Sequence, residues 1–582
     1  MNELVERLTK LGADQFRQVA AKVGKAMGAP AQDGIRRRAD AGSPAPLSFE
    51  QARTWFLDQL DPQNATFNLS LAAKASFARG LDLATLERSV AAVVRRHEVL
   101  RSAIDWVDGR LVSRAVPPMS IRVPLVDVRH LPRDEREPEA LRLAAVEARR
   151  PFDTRTPPLI RLLVVQLDET EYLLALTTHH IASDGRSQGH LIREIATFYL
   201  AAMTHMPALL REPAIQYADF AAWQRARMEG PEAERLLAYW TDHLRAPLPS
   251  LGLRTDHPRA AVASFRAGVV VGFLPADAAA AIKGVARAGG ATLFMALLAA
   301  LEALLYRYTG RTDLVVGSAV ANRARPELEK LVGMFINIIA LRTDASGNPP
   351  FRELLARVRA TCEGAYAHQE LPFAKVIDAL APPRDPRRHP LFQVLFLLQN
   401  AGAGVEIPGL AGIRPLRTDN GGVKRDMSVY AQEEGDGRIR LTIKYRADLW
   451  ERPAMERMLA DYAAVIEQVA GDPSLPLDAL RVEGDRRGDG PADSLPPKAC
   501  ATALHDEIEA RIAAVWCELL GRSAVDPFDD FFALGADSFL AARMLHRVGA
   551  ELGVELPLSL LFEAPALADL ASEARRRKGI HV

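Results

Sequence analysis

Apolar residues recur along this chain with two periods. A helical period of about 3.6 residues marks Leu81 to Arg101, a stretch from about Ser187 with Leu191, Ile195 and Phe198 on one side, and Thr292 to Tyr308. Short apolar runs bounded by polar residues or glycine mark strands: Glu171 to His179, whose Leu173, Leu174 and Leu176 need cover, Asp313 to Val320, and a strand-like Met334 to Arg342. From Leu47 to about Val482 helices and strands alternate in two long passes, so two α/β lobes of comparable size are expected. Ahead of them, residues 1 to 28 place Leu4, Val5, Leu8, Leu11, Phe16 and Val19 on one side of an amphipathic helix, a candidate docking element. A polar stretch with Pro and Gly, Ala29 to Pro46, separates it from the body. Gly484 to Ala501 has no periodicity and is rich in Gly, Pro and charge, which reads as a linker. Residues 502 to 577 then show three helical stretches around an irregular segment, enough for a small bundle.

Composition narrows the partners. The 73 Lys and Arg residues balance 73 Asp and Glu, so no basic field exists to hold a polyanion, and nucleic acid is not an expected partner. The longest apolar stretch, Ala291 to Tyr306, contains Glu302 and is shorter than the roughly 20 residues of a bilayer span, which predicts a buried helix and no membrane association. The N-terminus lacks the apolar core and cleavage site of a signal peptide, so a cytoplasmic protein is expected. Cys362, Cys500 and Cys517 have no metal-type spacing, which argues against a disulfide framework or a zinc site. Between 502 and 577 acids outnumber bases 13 to 7, giving an acidic tail on a neutral chain.

Local chemistry concentrates at Thr178-His179-His180-Ile181-Ala182-Ser183-Asp184-Gly185, where a strand passes into a helix. Neighbours on a strand point to opposite faces, so His179 and His180 are not expected to share a metal ion. One imidazole should face a cavity and the other should pack inside. Asp184 can contact His180 or tie the loop to an arginine elsewhere, and Gly185 would permit the turn.

These eight residues resemble the His-His-x-x-x-Asp-Gly signature of the condensation-domain family of nonribosomal peptide synthetases, which is similar to chloramphenicol acetyltransferase in having two such lobes arranged as a V. Six further segments resemble family motifs and stand in the family's order. They are Leu47-Ser48-Phe49-Glu50-Gln51 with Trp55 and Leu57, Arg96-His97-Glu98-Val99-Leu100-Arg101, Tyr217 to Arg225, Gly333-Met334-Phe335-Ile336-Asn337, His368 to Phe373, and Arg384 to Gln393. Arg186 stands where the family often has Trp, and Arg387 where it often has Ser. Most of the motif residues, Trp55, Trp223, Phe335 and Phe373 among them, are read as packing.

The resemblance implies that His180 faces a substrate tunnel while Asp184 sits in a salt bridge that shapes the loop, with Arg101 as its expected partner and Arg342 as the alternative. His179, His180, Asp184 and Gly185 form the expected catalytic set. The reaction implied is attack by the amine of an acceptor thioester on the carbonyl of a donor acyl thioester. An α-amine has a pKa of about 7.7 to 8.0, so roughly a tenth or more is already neutral near pH 7, and positioning is expected to outweigh base strength. A hydroxyl acceptor would need general-base help far more.

Phe531-Phe532-Ala533-Leu534-Gly535-Ala536-Asp537-Ser538-Phe539-Leu540 is the second signal. Asp537 is a good N-cap, so Ser538 should open a helix whose positive end suits an anion. The segment resembles the Leu-Gly-Gly-Asp-Ser site of carrier domains, with Ala536 in place of the second Gly. The resemblance implies 4′-phosphopantetheine on Ser538, added by a phosphopantetheinyl transferase.

The expected organisation is a helix and linker at 1–42, a condensation domain at 43–483 with lobes divided near 215 and 216, a linker at 484–501 and a carrier domain at 502–578. No adenylation signature lies between condensation and carrier regions, so a separate loading protein and an upstream donor carrier are expected partners of a monomer. The alternative reading is an acyltransferase that uses a hydroxyl or diffusible amine. An epimerisation domain and a non-catalytic scaffold are further rivals.

Overall fold

The computed structural model describes residues 34–40, 42–59, 65–107, 110–259, 266–382, 391–399, 414–416, 421–484, 506–531, 534, 538–557, 560 and 566–579. The expected N-terminal helix, most of the linker, Arg387 and Asp537 lie outside these residues.

The first lobe is built on a five-stranded sheet. Its strands run in the order β12 (Arg414–Leu416), β2 (Asn68–Ser76), β7 (Glu171–His179), β6 (Ile160–Gln166) and β5 (Leu125–Asp127), antiparallel except for β5 beside β6. Both faces are covered, which explains why its strands read as near-continuous apolar runs. Leu162, Val164 and Leu176 pack with Leu86 and Val90 of α2 (Leu83–Arg96) and Leu191 of α4 (Gly185–Met203). Leu163, Val165 and Leu173 pack instead with Ala140 and Ala144 of α3 (Arg133–Ala148). The expected helix 81–101 is two pieces, α2 and a 3-10 turn Glu98–Arg101, because Arg96 and His97 break the pattern to bind Glu194.

The second lobe carries a six-stranded sheet in the order β10 (Asn337–Asp344), β9 (Asp313–Val320), β11 (Val394–Gln399), β13 (Met427–Glu433), β14 (Ile439–Arg446) and β8 (Ala267–Leu274). Its core helix α8 (Leu293–Thr309) is capped by Thr292, whose hydroxyl accepts from the Met295 amide, and ends at Gly310 in the left-handed region with φ of 67°. This is the expected buried helix, and no single helix among the described residues is long and apolar enough to cross a membrane. Glu302 lies inside it, fully buried, bonded to the Thr343 hydroxyl at 3.2 Å, and burial pushes its carboxyl up to about 8.

The lobes are not successive in sequence as expected. Strand β12, from the second half of the chain, pairs with Ala72 to Lys74 of the first lobe, and Leu328, Leu331, Val332, Met334 and Phe335 join the first lobe's core. Chain from the second half therefore closes over the histidine loop. Past the linker, α12 (Glu507–Leu520), α13 (Ser538–Leu552) and α14 (Leu567–Lys578) form the expected helical region, with Trp516 against Phe531 at 4.7 Å in its core. His546 of α13 stacks on Trp106 of the first lobe at 4.9 Å.

Candidate active site

Strand β7 ends at His179, and a 3-10 turn, His180–Ala182, carries the chain into α4. The His180 amide donates to the Phe67 carbonyl at 2.7 Å, and its ring Nδ1 lies 2.9 Å from the Ser183 carbonyl. A carbonyl only accepts, so Nδ1 holds the proton and Nε2 presents a lone pair. Burial, assisted by the positive charge of Lys424, pushes the imidazole down to about 3, so it is neutral at physiological pH. His179 is the packed member of the pair. It is 1% exposed, its Nδ1 accepts from the Ile181 amide at 3.2 Å, its Nε2 lies 3.3 Å from Asp58, and Phe67 and Phe152 flank the ring. The geometry thus makes His179 a packed support for the turn.

Asp184 caps α4 by accepting from the Ser187 amide at 2.7 Å, and it also accepts from the Phe335 amide at 3.2 Å. Its salt-bridge partner is neither of the expected arginines. Arg323 binds both carboxylate oxygens, at 3.1 and 3.0 Å, and also donates to the Ser187 hydroxyl and to the carbonyls of Leu328 and Leu331. Arg101 instead donates to the Val116 carbonyl and faces Glu98, because the 3-10 turn aims it along its own lobe. Arg342 is held by Asp313 across the β9–β10 pair and by carbonyls at 245 and 247. The sequence did carry a signal for Arg323, a polar Asn-Arg-Ala-Arg-Pro segment just beyond the end of β9, where functional side chains commonly sit.

Gly185 also differs from expectation. It is the first residue of α4, has no positive φ, and a Cβ there would meet nothing within 4 Å. The turn does not require glycine; the missing side chain leaves open space beside the loop. Gly333 is a position where glycine is required, since a Cβ would lie 1.9 Å from the Tyr217 ring, which packs on Phe335 under the Asp184 ion pair.

The motif at Leu47 to Gln51 orients a second wall. Ser48 accepts from the Gln51 amide at 3.1 Å at the start of α1 (Phe49–Gln59), and the Gln51 side chain donates to the Ile181 carbonyl at 3.0 Å, fastening α1 to the histidine turn. Next to it stand residues that sequence reasoning did not single out. Arg53 lies over Phe373 at 5.4 Å, Arg425 over Phe392 at 5.5 Å, and Lys424 over Phe67 at 4.5 Å. Glu50 is 3% exposed, and burial raises its carboxyl above the ordinary value against the pull of Arg53. Burial likewise pushes Lys424 down to about 7 and Arg425 down to about 9. Lys424 and Arg425 precede a strand and Arg53 sits on a distant helix, so no local spacing links them.

The carrier serine opens α13, a helix of 15 residues. A helix start offers free backbone N–H groups and the positive end of the dipole, which fits a phosphodiester at Ser538.

A loop that ends a strand with one neutral imidazole, pinned by an aspartate salt bridge between two α/β lobes, defines an acyltransferase-type fold, and comparisons with known proteins narrow it. Residues 43–487 match the Condensation domain family and residues 510–573 the Phosphopantetheine attachment site. The chain therefore belongs to the condensation-domain family of nonribosomal peptide synthetases, with a carrier region following the condensation region. One of the linear gramicidin synthase proteins of Brevibacillus parabrevis is 38% identical over 510 residues, 87% of this chain but 6% of that protein. Phosphinothricin tripeptide synthetase PhsC of Streptomyces viridochromogenes is 36% identical, over 83% of this chain and 44% of that one. The chain thus spans less than half the length of these relatives. Among solved structures, the X-domain from teicoplanin biosynthesis superposes with a TM-score of 0.70 at 27% identity, covering 77% of this chain and 100% of that one. The first condensation domain of the calcium-dependent antibiotic synthetase shares the fold with a TM-score of 0.65 at 20% identity, covering 76% of this chain and 100% of that one.

Proposed function

We propose that this chain joins a donor acyl or peptidyl unit, delivered as a thioester by another protein's carrier, to the amine of an aminoacyl unit held on its own Ser538, with His180 orienting the amine. The observation that carries this reading is the fixed tautomer of His180. Its Nε2 lone pair is free to accept an N–H of the acceptor amine while Nδ1 is occupied by Ser183. A phosphopantetheine arm on Ser538 supplies a terminal thiol that holds the acyl unit as a thioester.

The low proton affinity of His180 decides how it acts. Burial holds the His180 imidazole well below its ordinary value, so it is a weak base for an α-ammonium of pKa about 8 and for a hydroxyl. It is well suited to hold an amine that is already neutral. The nitrogen lone pair attacks the donor carbonyl carbon, the carbon–sulfur bond breaks, and the amine's proton ends on the departing sulfur. Positioning of this kind is worth roughly 7 to 11 kcal/mol when the geometry is fixed. Asp184 with Arg323 holds the turn. An amine is favoured on the same ground over the hydroxyl acceptor of the alternative reading.

The reading includes a condensation domain of about 43–483, a carrier domain of about 502–578, and as partners a phosphopantetheinyl transferase, a separate loading protein and an upstream donor carrier. It is tested by intact-mass measurement. Incubation with coenzyme A and a phosphopantetheinyl transferase should add one pantetheine arm to the chain and none to Ser538→Ala, and a loaded chain given a donor thioester should gain the acyl mass. An unmodified chain, or an adduct that survives Ser538→Ala, overturns the assignment.

A further inference from the structure

Three cations stand beside the histidine turn with little to answer their charge, Arg425 buried and Lys424 and Arg53 half-buried. Arg425 is 9% exposed, yet among the described residues its only hydrogen bond runs from Nη1 to the carbonyl of its neighbour Lys424, its Nε has no acceptor, and no carboxylate pairs with it. Lys424 likewise has no ion-pair partner among the described residues, its ammonium resting on the Phe67 face. Arg53 has only Glu50, at 3.9 Å, among those residues. The nearby carboxylates are already committed. Asp426 is shared by Arg259 and Arg446, and Asp58 faces His179. Glu50 Oε1 is buried with no hydrogen-bond partner among the described residues, and burial raises its carboxyl above the ordinary value.

The cluster adjoins the reacting centre. The ring of Phe67 carries the Lys424 ammonium, and the carbonyl of the same residue holds the His180 amide. The Phe373 and Phe392 rings beneath Arg53 and Arg425 are 5.7 Å apart. An apolar floor bearing cations with few counter-charges is a site for an anion with a short organic body, and a guanidinium fork matches a carboxylate.

We propose that Arg425, Lys424 and Arg53 bind a carboxylate of the substrate next to the bond being formed, so that this enzyme selects a unit carrying a free acid. The inference rests on the condensation reading above. The phosphodiester of a pantetheine arm is not the anion meant, because it is fixed at the serine end, far from the reacting thioester. The carboxylate has three possible sources: the side chain of the carrier-bound acceptor, the donor acyl chain, or the α-carboxylate of a diffusible amino acid.

The test uses the full chain with its arm on Ser538 and three matched pairs. These are aspartyl against asparaginyl on the carrier, succinyl against succinamyl as donor thioester, and free glycine against glycinamide as acceptor. One pair should favour the acid at least about tenfold in kcat/KM, and the preference should fall toward one in Arg425→Gln and in Lys424→Gln; the responding pair identifies the source. Ratios near one in all three pairs, or a preference that both variants retain, overturn the proposal. If no pair condenses, the condensation reading fails, and calorimetry still decides the anion site. Binding of N-acetylaspartate but not N-acetylasparagine amide, lost in Arg425→Gln, upholds it, and equal or absent binding of the two rejects it.

Discussion

Arg323 and Arg425 are both buried near the histidine turn, and they differ in what answers their charge. Arg323 faces two carboxylate oxygens, a hydroxyl and two carbonyls, while Arg425 has one neighbouring carbonyl among the described residues. The Nε of each lacks an acceptor there, so the contrast lies wholly in the Nη groups. A saturated guanidinium fixes a loop, because every way of moving it breaks charge-assisted bonds. An unsaturated one retains its desolvation cost until a ligand arrives, which makes it a recognition element.

The largest effect should come from the saturated side. Asp184→Asn leaves Arg323 buried without its counter-charge, the Asp184–Arg323 pair being 1 to 2% exposed. We expect a loss of about 3 to 5 kcal/mol in denaturant unfolding, together with loss of condensation; a variant as stable as the parent would refute the staple. Removing the oriented group comes next. His180→Ala should keep its fold and slow amide formation by roughly 10²-fold through lost positioning, measured under single turnover; an unchanged rate would remove His180 from the reaction.

A third buried charge shows another outcome. Glu302 has no cation beside it among the described residues, and it answers burial by keeping its proton, with the carboxyl raised from 4.5 to about 8. The folded state therefore binds this proton more tightly than the unfolded chain, and the stability involved is complete below about pH 4.5 and lost as pH rises through about 8. Glu302→Gln should abolish that loss and be more stable than the parent at pH 9 by about 1 to 3 kcal/mol, with little difference at pH 5. Equal pH slopes in thermal melts would contradict this.

The smallest effect concerns Lys424. Arg425, Lys444, Arg53 and Asp58 surround it, and burial together with these cations lowers it to about 7. One charge of the cluster should then disappear as pH rises through that value, and the preference for acid over amide substrates should fall roughly two- to threefold between pH 6 and 8. The profile should be flat in Lys424→Gln, and a flat profile in the parent would show that Lys424 does not contribute.

Much of this was legible in the residues. Apolar runs located β7 and β9 with the same ends the structure gives, and the helical period placed α8 within one residue of its ends. These are local decisions, set by period and capping. His179 was legible as the packed member of the pair, being the last residue of an apolar strand. Arg323 as the partner of Asp184 was not, since 139 residues separate them and several arginines in motif-like segments compete for the role. The insertion of β12 into the first sheet was equally hidden, because three residues carry too little pattern to choose a partner strand.

The sequence by itself therefore determined the elements, the family resemblance, the histidine pair at a strand end and the serine at a helix start. Only the tertiary structure decided which arginine is spent on Asp184 and which is left for a ligand, because that depends on how many oxygens of distant segments converge on each guanidinium. Charge is written in the sequence, but its neutralisation is a property of the packed chain.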